Sequence, residues 1–559
     1  MDDQKRQLIK IKDNLLVSAC PGAGKTKLLI GMLEDNLYRN QGFRWHVVLT
    51  HTNAAADEIS SRIDNLSIEV DRVWCGTIHS FLLEWVVKKY AGAISRLKDG
   101  FSLLSEYKQR KIIQNIESDK KLGVRIRYNC DENGNAFVEP YCHSLDDKHK
   151  ELLVIQEYNT FKENNRFIDF DDIIKLGVEF LENNQSICEH LSKLIGNIYL
   201  DESQDTSLVQ LKALSYITRY NRVSVFIVGD NDQAIYQDLG VSIKDKDIIK
   251  SELQLSELKH ETLSGCYRSS ELLVKYYKKY SASRNDVTSL REEFEGKSPI
   301  IKDISKDELP QRVFNLINQY HSKYNSVSGI AIIGPDKYYL MALINALYDL
   351  SENFVYDFQS TNPLYCARNT VFYELISLVV LDVNVINYQR RSSLARKIVD
   401  SVPELSHLTP LQLKRDLKEF QSLKNNFILW FRELYEFLEM KYQKSIKLET
   451  DYKICNAAAS VAKVRAGMGA ISKMINKEKN VVSVSTIHGS KGEEYDYVIS
   501  IGYHDQVVPH QSSFEKGSEY ARDIANRLMY VAFSRAKDYM NIFIDDRRKV
   551  SPFFIREPD

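Results

Sequence analysis

The chain has 559 residues, with 75 Lys and Arg balanced by 76 Asp and Glu for a formal net charge of −1. Such a length exceeds one ordinary core, because domains usually run to about 100–200 residues, so several globular units are expected. The composition, 43% hydrophobic and 27% charged with 11 prolines, excludes a largely disordered chain, and the charge balance excludes a globally basic protein that coats nucleic acid, though not a basic channel inside a neutral exterior.

The opening segment MDDQKRQLIKIKDN lacks the apolar core of a signal peptide, and no apolar run approaches the roughly 20 residues needed to cross a bilayer. Cys20, Cys75, Cys130, Cys142, Cys188, Cys266, Cys366 and Cys455 form no C-x-x-C pair, which speaks against a zinc or iron–sulfur site. A cytoplasmic protein with reduced thiols and no membrane partner is expected.

In chain order, short apolar runs that read as buried parallel strands occur at Leu15–Ala19, Val47–Thr50, Ile198–Leu200 and Val225–Val228, with helical stretches between them. A second set follows at Gly329–Ile333, Val481–Ser485, Tyr497–Ile501 and Tyr539–Ile544. The fold class is therefore α/β, with two doubly wound parallel sheets. Each set is interrupted by a block of helical periodicity, Leu82–Arg166 in the first and Phe372–Lys477 in the second. In the second block Phe427, Trp430, Phe431, Leu434, Tyr435, Leu438 and Tyr442 recur at three- and four-residue spacings, an apolar stripe that reads as core packing rather than as a base-stacking surface.

The segment LLVSACPGAGKTKLLI sets Pro21, Gly22, Ala23, Gly24, Lys25 and Thr26 between an apolar strand and an amphipathic helix, the context a phosphate-binding loop requires. Small residues let successive backbone N–H groups face phosphates, Lys25 can neutralise the β/γ oxygens of ATP, and the Thr26 hydroxyl can ligate Mg²⁺. Downstream, the strand NIYL runs straight into Asp201 and Glu202, two carboxylates at the carboxyl end of a strand. Asp201 is suited to hold Mg²⁺, and Glu202 to orient and deprotonate the attacking water.

The ordered series of further segments resembles the UvrD/Rep type of superfamily 1 helicases. Gln4 resembles the family's adenine-reading glutamine, VVLTHTNAAADEISSRI its motif Ia, and GTIHSF its motif Ib. FIDFDDII around Asp171 looks like the re-entry into the first motor domain. DESQD, VGDNDQAIY, SGCYRSS, STIHGSKGEEYDYVISIG and NRLMYVAFSRAKD look like motifs II to VI in turn. This resemblance implies two RecA-like motor domains, each with a mainly helical insertion. The first would comprise residues 1–81 and 167–265 around an insertion at 82–166, and the second 266–371 and 478–559 around a reduced insertion at 372–477. It further implies that Gln233 senses the γ-phosphate, Tyr267 stacks on adenine, Lys27 flanks the ring and Glu494 lies near the ribose. Arg268 and Arg535 are implied to reach the phosphates from the second domain, tying hydrolysis to closure.

For nucleic acid, the resemblance puts Thr52, Asn53, His79, Tyr236 and His488 along a single-strand groove, where hydroxyls, amides and imidazoles bind phosphates and aromatic faces stack without reading sequence. The chain departs from the family at Asp238 and Leu239, where relatives carry Trp and Arg, at His51 for a usual Phe, and at Gly334-Pro335-Asp336 for an Arg-containing turn. The expected activity is Mg²⁺–ATP-driven 3′ to 5′ translocation on single-stranded DNA or a tailed duplex, in repair or a related pathway. The alternative is a nucleotide-gated subunit that regulates a partner nuclease, since short UvrD-like proteins resembling this one stand beside nucleases in anti-phage systems of the Gabija type.

Overall fold

A computed structural model describes the chain except for residues 1, 40–41, 65, 67–71, 105, 120–125, 131–135, 141–144, 236–244, 283–285, 292–295, 352, 359–370, 382–390, 393, 400–401, 403–404, 406, 422–426, 443–478 and 557–559. It divides into two compact units: unit 1 comprises Met1–Arg268 and Tyr280–Glu292, and unit 2 Ser269–Lys279 and Glu293–Asp559. Among the described residues no helix is long and apolar enough to cross a membrane.

In unit 1 the elements run α1 (Asp3–Ile9), β1 (Leu15–Ala19), α2 (Lys25–Arg39), β2 (Trp45–Thr50), α3 (Asn53–Asp64) and β3 (Val73–Thr77). Next come α4 (Glu106–Asp119), the strand pair β4 (Ile126–Cys130) and β5 (Ala136–Pro140), α5 (Leu145–Asn164) and α6 (Phe170–Asn183). The unit continues with β6 (Ile195–Leu200), α7 (Leu208–Thr218), β7 (Ser224–Gly229) and β8 (Lys259–Leu263). Six strands make one sheet in the order β8-β1-β7-β6-β2-β3, all neighbours parallel. Parallel pairing with helical crossovers buries both faces, which is why β7 is buried from Val225 through Gly229 without alternation. On one face Val47, Leu49, Ile198, Leu200, Val225 and Ile227 pack against Phe81, Leu82, Ile173, Leu181 and Leu214. Because every strand points the same way, the loops after β1, β7, β6, β2 and β3 all leave from one edge of the sheet.

The block expected to be helical contains α4 and α5, but also an antiparallel hairpin of β4 and β5. Its return to the sheet is clamped. Ser102 and Leu103 pair with Phe167 and Ile168, Arg96 makes a two-toothed ion pair to Asp172 at 2.9 and 3.1 Å, and the buried Lys162 ammonium bridges Asp169 at 2.7 Å and Asp172 at 2.9 Å. Asp169 and Asp172 also form the capping box that starts α6, so each buried charge has several partners.

Unit 2 contains β9 (Ile300–Ile304), α8 (Leu309–Tyr324), β10 (Ile330–Gly334), α9 (Lys337–Leu350), β11 (Val355–Asp357), α10 (Val371–Val380), α11 (Phe427–Tyr442), β12 (Val481–Thr486), β13 (Tyr495–Ile501), α12 (Ser518–Phe533) and β14 (Ala536–Asp545). Its sheet has the order β9-β14-β13-β10-β12-β11, again parallel throughout. Ile330, Ile332, Val482, Val484, Ile499 and Ile501 bury one face against Val313, Ile317, Ile344 and Leu347. A separate cluster joins α10 to α11, and in it Trp430, Leu434, Tyr435, Leu438 and Tyr442 are buried, as expected for a core stripe. The side chains of Phe427 and Phe431 lie outside the described residues.

Candidate nucleotide site and nucleic-acid face

The loop between β1 and α2 turns on two glycines with positive φ, Gly22 at 72° and Gly24 at 81°, a region side-chain-bearing residues adopt at a cost. Gly22 is also sterically confined, since a Cβ there would stand 2.5 Å from Arg268 Cβ. Ala23 is buried and donates its N–H to the Cys20 carbonyl at 3.2 Å, Pro21 is buried, and Lys27 is exposed. Lys25 opens α2, whose first turn leaves backbone donors and a positive dipole end facing the loop.

Two strands away, β6 delivers the carboxylates. The Asp201 N–H donates to the Leu49 carbonyl at 2.8 Å, extending the ladder with β2 by one step past the strand end. This fixes Asp201 Oδ2 at 3.1 Å from the Thr26 hydroxyl that donates to it. Glu202 follows in the left-handed region at φ 51°, a strained conformation costing about 1–3 kcal/mol, held by its own N–H donating to Asp201 Oδ1 at 2.9 Å. There the Glu202 carboxylate lies 3.5 Å from Lys25 Nζ.

A third acid completes the group. Asp230, at the end of β7, was not singled out in the sequence, although it stands within the GDNDQ run. Its N–H donates to Gln204 Oε1 at 2.9 Å and its Oδ2 accepts from Gln233 Nε2 at 2.6 Å, while Gln204 Nε2 donates to Glu202 Oε2. Lys25, Glu202, Gln204, Asp230 and Gln233 thus form one continuous string across the ends of β1, β6 and β7. Burial pushes Asp201 up to about 6, reinforced by the neighbouring Glu202 charge and opposed by Lys25. Asp230 is likewise raised to about 6, first by burial, against the pull of Lys25.

The Thr26 hydroxyl in the first turn of α2 and the Asp201 carboxylate just past β6 are hard oxygen donors in contact with each other, a fit for Mg²⁺, which takes one or two protein ligands and completes its shell from phosphates and water. Among the described residues no group of three or more His, Cys, Asp or Glu is spaced to hold a metal.

Gln4 and Tyr267 lie in the same unit. Gln4 Nε2 donates to the Thr262 carbonyl of β8 at 2.9 Å, and the Tyr267 N–H donates to the Gly22 carbonyl at 3.0 Å. Arg268 is half-buried in unit 1, with its carbonyl accepting from Arg291 at 3.1 Å. In unit 2, Arg535 is buried and donates from Nε to the Val531 carbonyl at 2.9 Å, from Nη1 to the Glu493 carbonyl at 3.3 Å and from Nη2 to Ser534 Oγ at 3.0 Å. Glu494 pairs with Lys537 at 2.9 Å. Both Glu494 and Arg535 immediately precede strands, β13 and β14, whereas His488 is exposed just beyond the end of β12.

The segments assigned to nucleic acid leave unit 1 from the same edge of the sheet as the nucleotide group, after β2 and β3, whose last residues Thr50 and Thr77 are register partners. Thr52 and Asn53 are exposed; the Thr52 hydroxyl accepts the Ala55 N–H at 3.2 Å, a local cap on α3. His79 packs edge-on against Phe170 with ring centroids 6.0 Å apart. Burial, then the nearby His51, pushes His79 down to about 4, so it is a neutral imidazole at physiological pH. Tyr236, Asp238 and Leu239 lie outside the described residues.

Residues 1–244 match the family model described as the UvrD/REP helicase N-terminal domain. Over nearly its whole length the chain is similar to the ATP-dependent DNA helicase Rep of Buchnera aphidicola subsp. Schizaphis graminum, at 24% identity over 96% of this chain and 91% of that protein. It is also similar to DNA helicase II of Rickettsia typhi, at 22% identity over 98% and 92%. A third relative is the ATP-dependent DNA helicase PcrA of Bacillus subtilis, at 22% identity over 95% of this chain and 81% of that protein.

Proposed function

We propose that this chain, a protein of the UvrD/Rep helicase type, is an ATP-hydrolysing DNA motor. The observation that carries this reading is the string Lys25–Glu202–Gln204–Asp230–Gln233, with Thr26 and Asp201 beside it, on the strand ends of one parallel sheet. Lys25 and the loop N–H groups bind the phosphates, Thr26 and Asp201 hold Mg²⁺, Glu202 accepts a proton from the attacking water, and Gln233 reports the terminal phosphate. Bound Mg²⁺ neutralises charge developing on the phosphoryl oxygens. Residues 1–81 and 167–265 are assigned to the first motor domain and 266–371 and 478–559 to the second, with insertions at 82–166 and 372–477. Arg535 is assigned to transition-state charge and Glu494 to the ribose.

The substrate is single-stranded DNA, or a duplex with a single-stranded tail, bound through Thr52, Asn53, His79, Tyr236 and His488, with 3′ to 5′ movement. The departure at Asp238 and Leu239 removes an aromatic base platform, worth about 1–3 kcal/mol per base, and favours a second reading, a gated subunit whose turnover serves a partner nuclease. Steady-state ATP turnover with and without single-stranded DNA tests the motor reading, with Lys25→Ala as the blank. Strong stimulation supports it, whereas an equal slow rate in both conditions rejects it. Turnover that appears only with a co-purifying partner supports the second reading, and displacement of streptavidin from one labelled end reports polarity.

A further inference from the structure

At the start of α1 a compact charged and aromatic cluster stands against the phosphate loop without being part of the string above. Asp2 caps the helix: its Oδ1 accepts the Lys5 N–H at 2.7 Å. Its Oδ2 accepts both from Lys5 Nζ at 2.8 Å and from the Tyr267 hydroxyl. The same ammonium lies 4.2 Å from the centroid of the Tyr267 ring. The Lys5 side chain is only 5% exposed, and a Cβ built on Gly24 would stand 3.6 Å from Lys5 Nζ. Tyr267 itself is 43% exposed, although its backbone is pinned to Gly22.

A tyrosine with its hydroxyl held by a carboxylate and one ring face covered by a cation has lost its rotational freedom before any ligand arrives. The opposite face is then the one a flat heterocycle would use. We propose that Asp2 and Lys5 are positioning residues for Tyr267, fixing its ring as a preformed wall that sets affinity for the base of the nucleotide rather than for its phosphates. The proposal rests on the reading of unit 1 as an ATP site. Preorganisation of this kind adds affinity by removing the ordering cost from the binding step, and a cation over a tyrosine face is favoured most when shielded from water, as Lys5 is.

The test uses the full chain, a fluorescent ATP analogue as probe, and ATP or inorganic tripolyphosphate as competitors. Asp2→Asn keeps the helix cap, because Asn caps as well as Asp, while removing the charge that holds Lys5 and the Tyr267 hydroxyl. The expected result is a loss of ATP affinity and a rise in KM of about tenfold with kcat within about twofold, the size of one lost hydrogen bond to a charged group. Tripolyphosphate competition should change by less than about twofold, as its contacts are untouched. Tyr267→Phe should reproduce the effect, and the double variant should be no weaker than either single one. Equal weakening of ATP and tripolyphosphate, or a fall in Tm with KM unchanged, overturns the proposal. Absence of ATP binding by the unaltered chain overturns the site reading and this proposal together, whereas ATP binding indifferent to Asp2→Asn overturns this proposal alone.

Discussion

The Thr26 hydroxyl donates to Asp201 Oδ2 at 3.1 Å, joining the first turn of the helix after the phosphate loop to the end of a strand 175 residues later in the chain. The Asp201 carboxylate is buried and raised to about 6, first by that burial. A carboxyl whose folded pKa is raised favours the fold when protonated; that contribution is complete below the ordinary carboxylate range and is lost as pH rises through about 6. Asp201→Asn should therefore raise the Tm of the nucleotide-free protein at pH 7.5 by several degrees, and by less at pH 5, while removing ATP turnover. Scanning fluorimetry in a chelating buffer measures both shifts; an unchanged or lower Tm at pH 7.5 counts against a buried charge at this position.

Asp201 together with Asp230 gives a pH profile. Asp201 and Asp230 both rise to about 6, so kcat/KM for ATP, which reports the free enzyme, should fall as pH drops through about 6. A bound cation favours the ionised carboxylate, so the corresponding limb in kcat should lie at lower pH. Superimposable acid limbs in the two profiles would contradict this assignment.

Lys25 and Glu202, 3.5 Å apart, separate binding from chemistry. Glu202→Gln should retain ATP binding while turnover falls by about 10²–10⁴, the usual contribution of general base catalysis. Lys25→Ala should lose both, and Arg535→Lys should bind ATP but lose about 10³–10⁵ in rate, the range of other arginine fingers. Equilibrium binding beside single-turnover hydrolysis distinguishes the three.

His79 is held neutral until pH approaches about 4. Its contact with a phosphate would then be a neutral hydrogen bond, and protonation should add no counterion release between pH 6 and 8. The slope of log affinity for single-stranded DNA against log salt is expected to stay constant over that interval; a slope that steepens toward pH 6 would point to a charging group at the interface, with His79→Ala as the variant that identifies it.

Lys162 is buried with Asp169 at 2.7 Å and Asp172 at 2.9 Å. Lys162→Met leaves two buried carboxylates with Arg96 as the remaining cation on Asp172, and should destabilise the protein by about 3–5 kcal/mol, the usual result of removing one member of a buried ion pair. Urea unfolding reads this directly, and a change below about 1 kcal/mol, typical of exposed pairs, would mean that the network is solvated.

Central strands were legible in the sequence because burial on both faces demands uninterrupted apolar runs: Leu15–Ala19 is recovered residue for residue as β1, and Val225–Val228 lies inside β7. Edge strands were not. Lys259–Leu263 is exposed at four of its five positions and Ile300–Ile304 is interrupted by the adjacent Lys302 and Asp303 and has no buried position, so neither carries the signal that burial imposes. Pro21 to Thr26 and the Asp201-Glu202 pair were readable because local backbone dictates them. Asp2, Lys5, Gln204 and Asp230 were not singled out, since their meaning lies in distant partners, Tyr267 for Asp2 and Gln204 for Asp230, that only tertiary structure brings near. The hairpin of β4 and β5 was hidden for a similar reason: it stands inside a block whose flanking helices dominate the periodicity.

The clamp made by Ser102–Leu103 on Phe167–Ile168 and by Arg96 on Asp172 fixes where the chain leaves the sheet and where it returns, independently of what lies between. Closing a flexible loop twice as long costs only about 0.6 kcal/mol more. The length of the excursion is therefore thermodynamically cheap to vary, and a change in it need not shift the register of the strands that carry the phosphate loop and the acids.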